Sequence, residues 1–464
     1  MKVTSATEHV AASFRDPNGF VFRRGSALYR QVNAAHRAHF DRFIEVGLYD
    51  RLVGDELLVA HEDVDVSLAA ASDAYRVILP EQIPFISYPY EWSFSMLRDA
   101  ALVTLRIQEL ALDHGMSLRD ATAYNLTFRR GRPLFLDTTS FEIVPEGRPW
   151  VAYRQFCQHF LAPLVLMSLR DARLGQLSRL YIDGVPLDLA SALLPARAGA
   201  KPGVALHIRM HARSQRRHAT DAPASSGKTR SFSSNAFRGV VTSLRKTIER
   251  LGDPVGPSVW RDYYDEADHY SAEASGRKEA LVSAWIDEVR PRTVWDLGAN
   301  TGRFARLASK AGIDTLALDV DPFCVDEAYR TARAGGDENL LPLIQDLTNP
   351  STGIGWAGRE RTSLGDRGPA DLILALALIH HLAIANNLAL TSILDELRRL
   401  GRWAIVEFVP KNDPKVQRLM QHREDVFSEY SVEHFESAAD ARFRIQHREP
   451  VADSGRTMYL LAPR

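Results

Sequence analysis

Val294-Trp-Asp-Leu-Gly-Ala-Asn-Thr-Gly302 is the stretch that decides the fold of the C-terminal half of this 464-residue chain. The apolar run from Thr293 to Trp295 predicts a strand, with the carboxylate of Asp296 at its end. Gly298, Asn300 and Gly302 follow at alternate positions. Glycines there let the backbone bend sharply and approach a ligand with no Cβ in the way. A second apolar run, Thr315 to Leu318, ends in Asp319. An acid at that place, about 20 residues on, is set to accept hydrogen bonds from ribose hydroxyls in a nucleotide-binding βαβ unit.

Outward from this core the same alternation continues. Strands are predicted at 293–297, 314–319, 341–345, 371–378 and 402–409, with closing runs from Phe443 to Gln446 and Thr457 to Leu461. Helices are expected over Val240 to Leu251 and Lys278 to Val289, with a Trp260-Arg-Asp-Tyr-Tyr segment between them. The glycine loop resembles motif I of the class I S-adenosylmethionine (SAM) methyltransferases, Asp/Glu-x-Gly-x-Gly-x-Gly, and departs from it at Asn300. The strand count and the terminal hairpin are similar too. The resemblance covers essentially the C-terminal half and implies a seven-stranded Rossmann-like α/β sheet binding SAM. It further implies that Asp319 holds the ribose and Asp346 the adenine amino group. Asp296 and the backbone from Gly298 through Asn300 to Gly302 would hold the methionine end.

The fourth strand runs into His380 and His381. In this family that position commonly faces the acceptor, and a histidine there can take a proton from a hydroxyl as the methyl arrives. Either His380 or His381 is the expected base, with Glu407 and Asn387 as weaker rim candidates. No metal is expected in this half. The two histidines are adjacent and would diverge in an extended segment, and no cysteine cluster or His-Glu-x-x-His occurs.

In the N-terminal half Asp120, Asn125 and Asp137 are spaced in Leu118-Arg-Asp-Ala-Thr-Ala-Tyr-Asn-Leu and Arg132-Pro-Leu-Phe-Leu-Asp137. This spacing resembles the catalytic loop and metal-binding Asp of protein-kinase-like phosphotransferases. It implies an α+β kinase-like domain, with Asp120 as base and Asn125 and Asp137 holding Mg²⁺ beside ATP. The helix from Ser95 to His114 fits the same pattern. Two features depart from it. Asn18-Gly-Phe-Val-Phe-Arg-Arg-Gly25 is the sole candidate phosphate-covering hairpin, and no lysine lies between Lys2 and Lys201. The chain has eight lysines against 49 arginines, and Arg30 is the candidate stand-in. A degenerate module that binds substrate or partner carries equal weight.

Length predicts two or three domains, here 1–196, a basic flexible linker over 197–239, and 240–464. A formal net charge of -1 gives no global field for nucleic acid or an anionic membrane. The two cysteines, Cys157 and Cys324, fall in different domains, so a reducing cytoplasm is expected. No signal peptide or membrane span is expected. The full chain is also similar to a bacterial group of two-part methyltransferases related to nodulation host-specificity proteins. The expected activity is O-methylation of a hydroxyl on a small molecule or glycan. A bifunctional kinase-methyltransferase and a non-catalytic scaffold are the alternatives.

Overall fold

The structure is a computed structural model that describes residues 7–145, 147–210, 233–258, 272–421, 424–451 and 454–464. The basic stretch 211–232 and the Trp260 to Tyr264 segment lie outside the described residues. The chain divides into two compact units. The first is Met1–Gly256 with Gly353–Arg361, and the second is Pro257–Thr352 with Thr362–Arg464. Among the described residues no helix is long and apolar enough to cross a membrane.

In the first unit β1 (Thr7–His9), β2 (Gly19–Arg24), β3 (Ala27–Asn33), β4 (His61–Val64) and β5 (Ala74–Pro80) form an antiparallel sheet ordered β1-β2-β3-β5-β4. The β2–β3 hairpin turns at Gly25, whose φ of 64° is open to glycine without strain. Helix Phe94–Asp113 begins where Ser93 accepts from the Met96 amide, and its Leu97, Ala101 and Leu105 are fully buried. Two short pairs follow: β6 (Met116–Leu118) with β9 (Phe141–Ile143), and β7 (Leu126–Arg129) with β8 (Arg132–Phe135). Asp120, Asn125 and Asp137 sit in the loops between these strands.

The linker expected over 197–239 is corrected at both ends. Residues 196–210 are helical turns that bury Ala198, Val204, His207 and Ile208. Helix Ser234–Glu249 belongs to the first unit, not to a domain starting at 240. Its Phe237, Val241, Leu244 and Ile248 form a buried stripe at helical spacing. The stripe packs on helix Phe94–Asp113, where Arg238 reaches Asp113 at 2.7 Å and Arg245 pairs with Glu109.

The second unit holds a seven-stranded sheet. Its strands are β10 (Thr293–Leu297), β11 (Asp314–Asp319), β12 (Leu340–Ile344), β13 (Ala370–Ala375), β14 (Gly401–Phe408), β15 (Phe443–Pro450) and β16 (Thr457–Pro463). The order is β12-β11-β10-β13-β14-β16-β15, with β16 antiparallel to both neighbours. The central strands are buried on both faces, which is why they appear as unbroken apolar runs. Helix Ala272–Val289 packs Val282, Trp285 and Ile286 against Val294, Leu372 and Ile405. Strand order reverses between β10 and β13, and in open α/β sheets ligands bind at such a switch point, outside the carboxyl ends.

The assignment of helix Ser234–Glu249 is open to a stability measurement. Leu244→Ala removes a side chain with no exposure and is expected to lower unfolding stability by about 2–5 kcal/mol in urea titration. A linker position would stay within about 0.5 kcal/mol.

Candidate active site

A cavity of about 750 Å³ opens over the carboxyl ends of β10 to β13. Its wall includes Asp296, Gly298, Asn300, Asp319, Asp346, Lys278, His381 and Arg456. The loop after β10 alternates left-handed residues, with φ of 73° at Gly298, 52° at Asn300 and 78° at Gly302. Asparagine tolerates this region better than most residues, which explains its place at the motif's middle glycine. Its side chain folds back so that Oδ1 accepts the Thr301 amide at 2.7 Å.

The direction of the loop's hydrogen bonds decides what it can bind. The Gly298 and Ala299 amides both donate to the Leu318 carbonyl, at 2.8 and 3.0 Å, and Gly302 donates to Ala299. The Asn300 amide donates to Asp319 Oδ2 at 2.7 Å. These amides are therefore engaged within the protein, and the loop offers no cradle of free N–H groups of the kind a phosphate requires. Three acids, Asp296, Asp319 and Asp346, line the cavity together with Lys278, Arg303 and Arg456. Asp319 takes the amides of Asn300 and Asp321 (2.9 Å), and a carboxylate has about four acceptor sites. Asp296 is 2 % exposed, and its Oδ2 has no hydrogen-bond partner among the described residues. Asp346 accepts the Thr348 amide and hydroxyl on Oδ1, at 2.8 and 2.7 Å.

Burial pushes the Asp296 carboxyl up to about 7, with Asp319 adding to the rise while Lys278 and the Ala305 amide oppose it. Burial likewise pushes Asp319 up to about 6 against the amides of Asp321 and Asn300. Both acids are held in a state that a hydrogen-bond-donating or cationic ligand would relieve. Ammonium, vicinal hydroxyl and aromatic amine groups are the kinds of donor these acids would accept.

The two histidines separate. His381 lines the cavity at the first residue of the π-helical turn His381–Ala385. His380 does not line it, is 1 % exposed, and its Nδ1 lacks a partner among the described residues. Burial lowers His380 well below the usual histidine value, and it lowers His381 to about 4 with help from Lys415 and Arg456. Both imidazoles are neutral at pH 7. The rim candidates also move: Asn386 lines the cavity where Asn387 was expected, and Glu407 is wholly buried.

Two lining residues carried no sequence signal. Lys278, on helix Ala272–Val289, places Nζ 2.5 Å from Glu407 Oε2 and 4.5 Å from the Phe304 ring centroid. Arg456, entering β16, bonds Glu407 Oε1 at 3.3 Å and Asp413 Oδ2 at 2.7 Å. They are far apart in sequence and meet on one carboxylate, a juxtaposition that neither periodicity nor motif spacing carries.

In the first unit, Asp137 lies under Arg30 of β3. Its Oδ1 also accepts the Thr139 amide at 2.9 Å and the Thr139 hydroxyl at 2.6 Å, and its Oδ2 accepts from Ser140 at 2.7 Å. Burial alone would raise this acid, and Arg30, Thr139 and Ser140 together bring it below the usual value. Asn125 donates to Ser140 at 3.0 Å. Asp120 accepts the Thr122 amide at 3.0 Å, and burial beside Asp137 raises it. Among the described residues no cluster of three His, Cys, Asp or Glu side chains could hold a metal. The donors converging on Asp137 occupy the acceptor sites a Mg²⁺ would need, so these residues do not fit the metal the kinase resemblance implies.

The fold and the acceptor-lined cavity define a Rossmann-like α/β protein with its candidate site at the topological switch point. The chain belongs to the family of the nodulation protein NoeA of Rhizobium meliloti (strain 1021). It is 36 % identical to that protein over 457 residues, which are 97 % of this chain and 95 % of the relative. No family model matches. Among solved structures, the PH0226 protein from Pyrococcus horikoshii OT3 is 17 % identical. The alignment covers 45 % of this chain and 100 % of that one, with a TM-score of 0.32. Magnesium protoporphyrin IX methyltransferase (ChlM) from Synechocystis PCC 6803, with bound SAH, is 16 % identical. It matches over 48 % of this chain and 94 % of its own, with a TM-score of 0.30.

Two outcomes follow from the site's electrostatics. An acid whose folded pKa lies above its unfolded value costs stability as pH rises between the two, here from 3.8 to about 7 for Asp296. Asp296→Asn is therefore expected to raise the melting temperature of the ligand-free protein near pH 8 and to leave it unchanged near pH 4 (about the lower edge of that window), read by calorimetry. Titration of Mg²⁺ with ATP is expected to show no heat of binding attributable to Asp137, the Asp137→Asn protein giving the same trace as the parent.

Proposed function

We propose that this protein is a SAM-dependent methyltransferase that methylates an oxygen of a small molecule or glycan. The observation that carries the reading is the inverted polarity of the loop after β10. Its amides point inward while Asp296, Asp319 and Asp346 present acceptors to the cavity. Such a wall suits a phosphate-free, donor-rich cofactor and disfavours a dinucleotide, whose pyrophosphate needs N–H groups. Family membership is compatible with this activity, although the name NoeA states no reaction.

In this reading Asp296 holds the ammonium of the methionine end, Asp319 the ribose hydroxyls, and Asp346 the adenine amine. When bound, the cofactor supplies an electrophilic methyl on a sulfonium. Leu376, Leu378 and Leu382 border the cavity and help exclude water from the path of attack. Transfer from such a sulfonium would be an in-line displacement, so most of the acceleration would come from how these residues align the acceptor with it. His381, not His380, takes the acceptor's proton, because it alone of the two lines the cavity. Its low basicity makes it a weak base, so a hydroxyl that is already acidic suits it best.

Asp319→Ala is expected to weaken SAM binding by about tenfold or more in calorimetric titration, since it removes the acceptor of two hydroxyls. Binding should also tighten as pH rises through about 6 to 7, where Asp319 and Asp296 ionise. Retained affinity in Asp319→Ala sinks the assignment of the site. His381→Ala should bind SAM normally and lose about 100-fold or more in transfer of labelled methyl to lysate from the producing cell.

A further inference from the structure

The first unit holds a second cavity, of about 480 Å³, used by neither the cofactor reading nor the kinase resemblance. One wall is helix Ser234–Glu249 with the residue after it. Thr242, Ser243, Lys246, Thr247 and Arg250 line that wall at alternating steps of one and three residues, which places them on one helical face. The stripe through Val241, Leu244 and Ile248 holds the helix against Phe94–Asp113, so the face has a fixed position. The other wall is the turn 200–204, which brings in Lys201. The walls approach so closely that a Cβ added at Gly203 would collide with the Thr247 hydroxyl. Ser243 Oγ lies 2.9 Å from Nε2 of the buried His207, whose Nδ1 lies 2.7 Å from the Tyr153 hydroxyl. Buried Val204 and Leu251 supply apolar lining.

The charges on these walls are all of one sign. Lys201, Lys246 and Arg250 line the cavity and no carboxylate does, since Glu249 and Asp253 lie off it. Among the described residues none of the three cations has an ion-pair partner, and the Thr242 hydroxyl has no hydrogen-bond partner. Thr247 is different, because its hydroxyl donates to the Ser243 carbonyl at 2.7 Å. Cations are favoured near a helix C-terminus for the helix's own sake, which accounts for Lys246 and Arg250 singly. It does not account for Lys201, which comes from another segment, or for a concave wall without an acid. From this arrangement we propose that the cavity binds the phosphate of a small phosphorylated molecule. Its volume falls within the range of small-molecule sites, about 300–1,000 Å³. Arg250 would present a planar fork to two phosphate oxygens, each lysine a point charge with three donors, and Thr242 a hydroxyl. The proposal is independent of the cofactor reading and asks nothing of Asp296 or Asp319.

The test is a calorimetric titration of inorganic pyrophosphate into the full-length protein. We expect saturable binding that weakens at least tenfold in the double variant Lys246→Gln with Arg250→Gln, and that weakens with added salt. Both side chains are exposed, so the urea midpoint of this variant should match the parent. The control is Lys310→Gln with Arg444→Gln, which removes two exposed cations from the second unit and should leave the binding unchanged. A parallel arm measures sedimentation with vesicles of phosphatidylglycerol and phosphatidylcholine. Absence of pyrophosphate binding, an affinity indifferent to Lys246 and Arg250, or an equal loss in the control overturns the proposal. Vesicle binding that needs Lys246 and Arg250 while pyrophosphate does not bind also overturns it, and assigns the face to a lipid surface instead.

Discussion

The hydrogen bond from the Asn300 amide to the Asp319 carboxylate is the constraint on which the second unit's site depends. It ties the turn after β10 to the end of β11, the neighbouring strand, at 2.7 Å. With the Gly298 and Ala299 amides also directed at Leu318, the turn is closed against its own sheet. The left-handed φ values at 298, 300 and 302 give the turn its tight course. The amides from Gly298 to Gly302 all donate within the protein, so none of these five is turned toward an anion. The turn's ligand must bring donors, and that single condition separates the cavity from phosphate-binding loops of similar sequence.

A second constraint is the buried Lys278–Glu407–Arg456–Asp413 cluster. Removing four charged groups from water is expensive, and such clusters are frequently no more stable than apolar packing would be. Their geometry, however, is well defined. Glu407 comes from the end of β14, Lys278 from the helix ahead of β10, and Arg456 from the turn into β16. The cluster therefore joins the beginning and end of the second unit across its fourth and fifth strands.

Legibility in the sequence tracked how local the cause was. The spans read as 293–297 and 314–319 coincide with β10 and β11, because strands buried on both faces must be continuous apolar runs bounded by turn residues. The strand expected over 371–378 instead ends at Ala375, because the chain turns at Ala377, where φ is 50°. Helix Ser234–Glu249 was assigned to the wrong neighbour, since an amphipathic stripe states that a partner exists but not which one. His380 and His381 were indistinguishable by pattern, and only the π-helical turn settles which of them lines the cavity. Lys278 and Arg456 had no signature, for their meaning arises from a carboxylate they share in space.

The carboxylates of the two units illustrate how an acid's surroundings separate structure from binding. Asp137 ends an apolar strand, much as Asp296 does, but it is partly exposed where Asp296 is buried. Donors from Arg30, Thr139 and Ser140 converge on Asp137 and lower its pKa, so its bonding is complete without a ligand. Asp296 keeps an oxygen without a partner among the described residues, and burial raises its pKa to about 7. An acid that the fold has satisfied gains little from a ligand, whereas one left short of donors gains the full relief of its desolvation when a donor arrives. Strand-end position is common to both and decides nothing. In a chain where arginine outnumbers lysine by 49 to eight, a guanidinium can fill a carboxylate's acceptor sites on several sides, and Arg30 turns a metal-binding motif into a closed structural cluster.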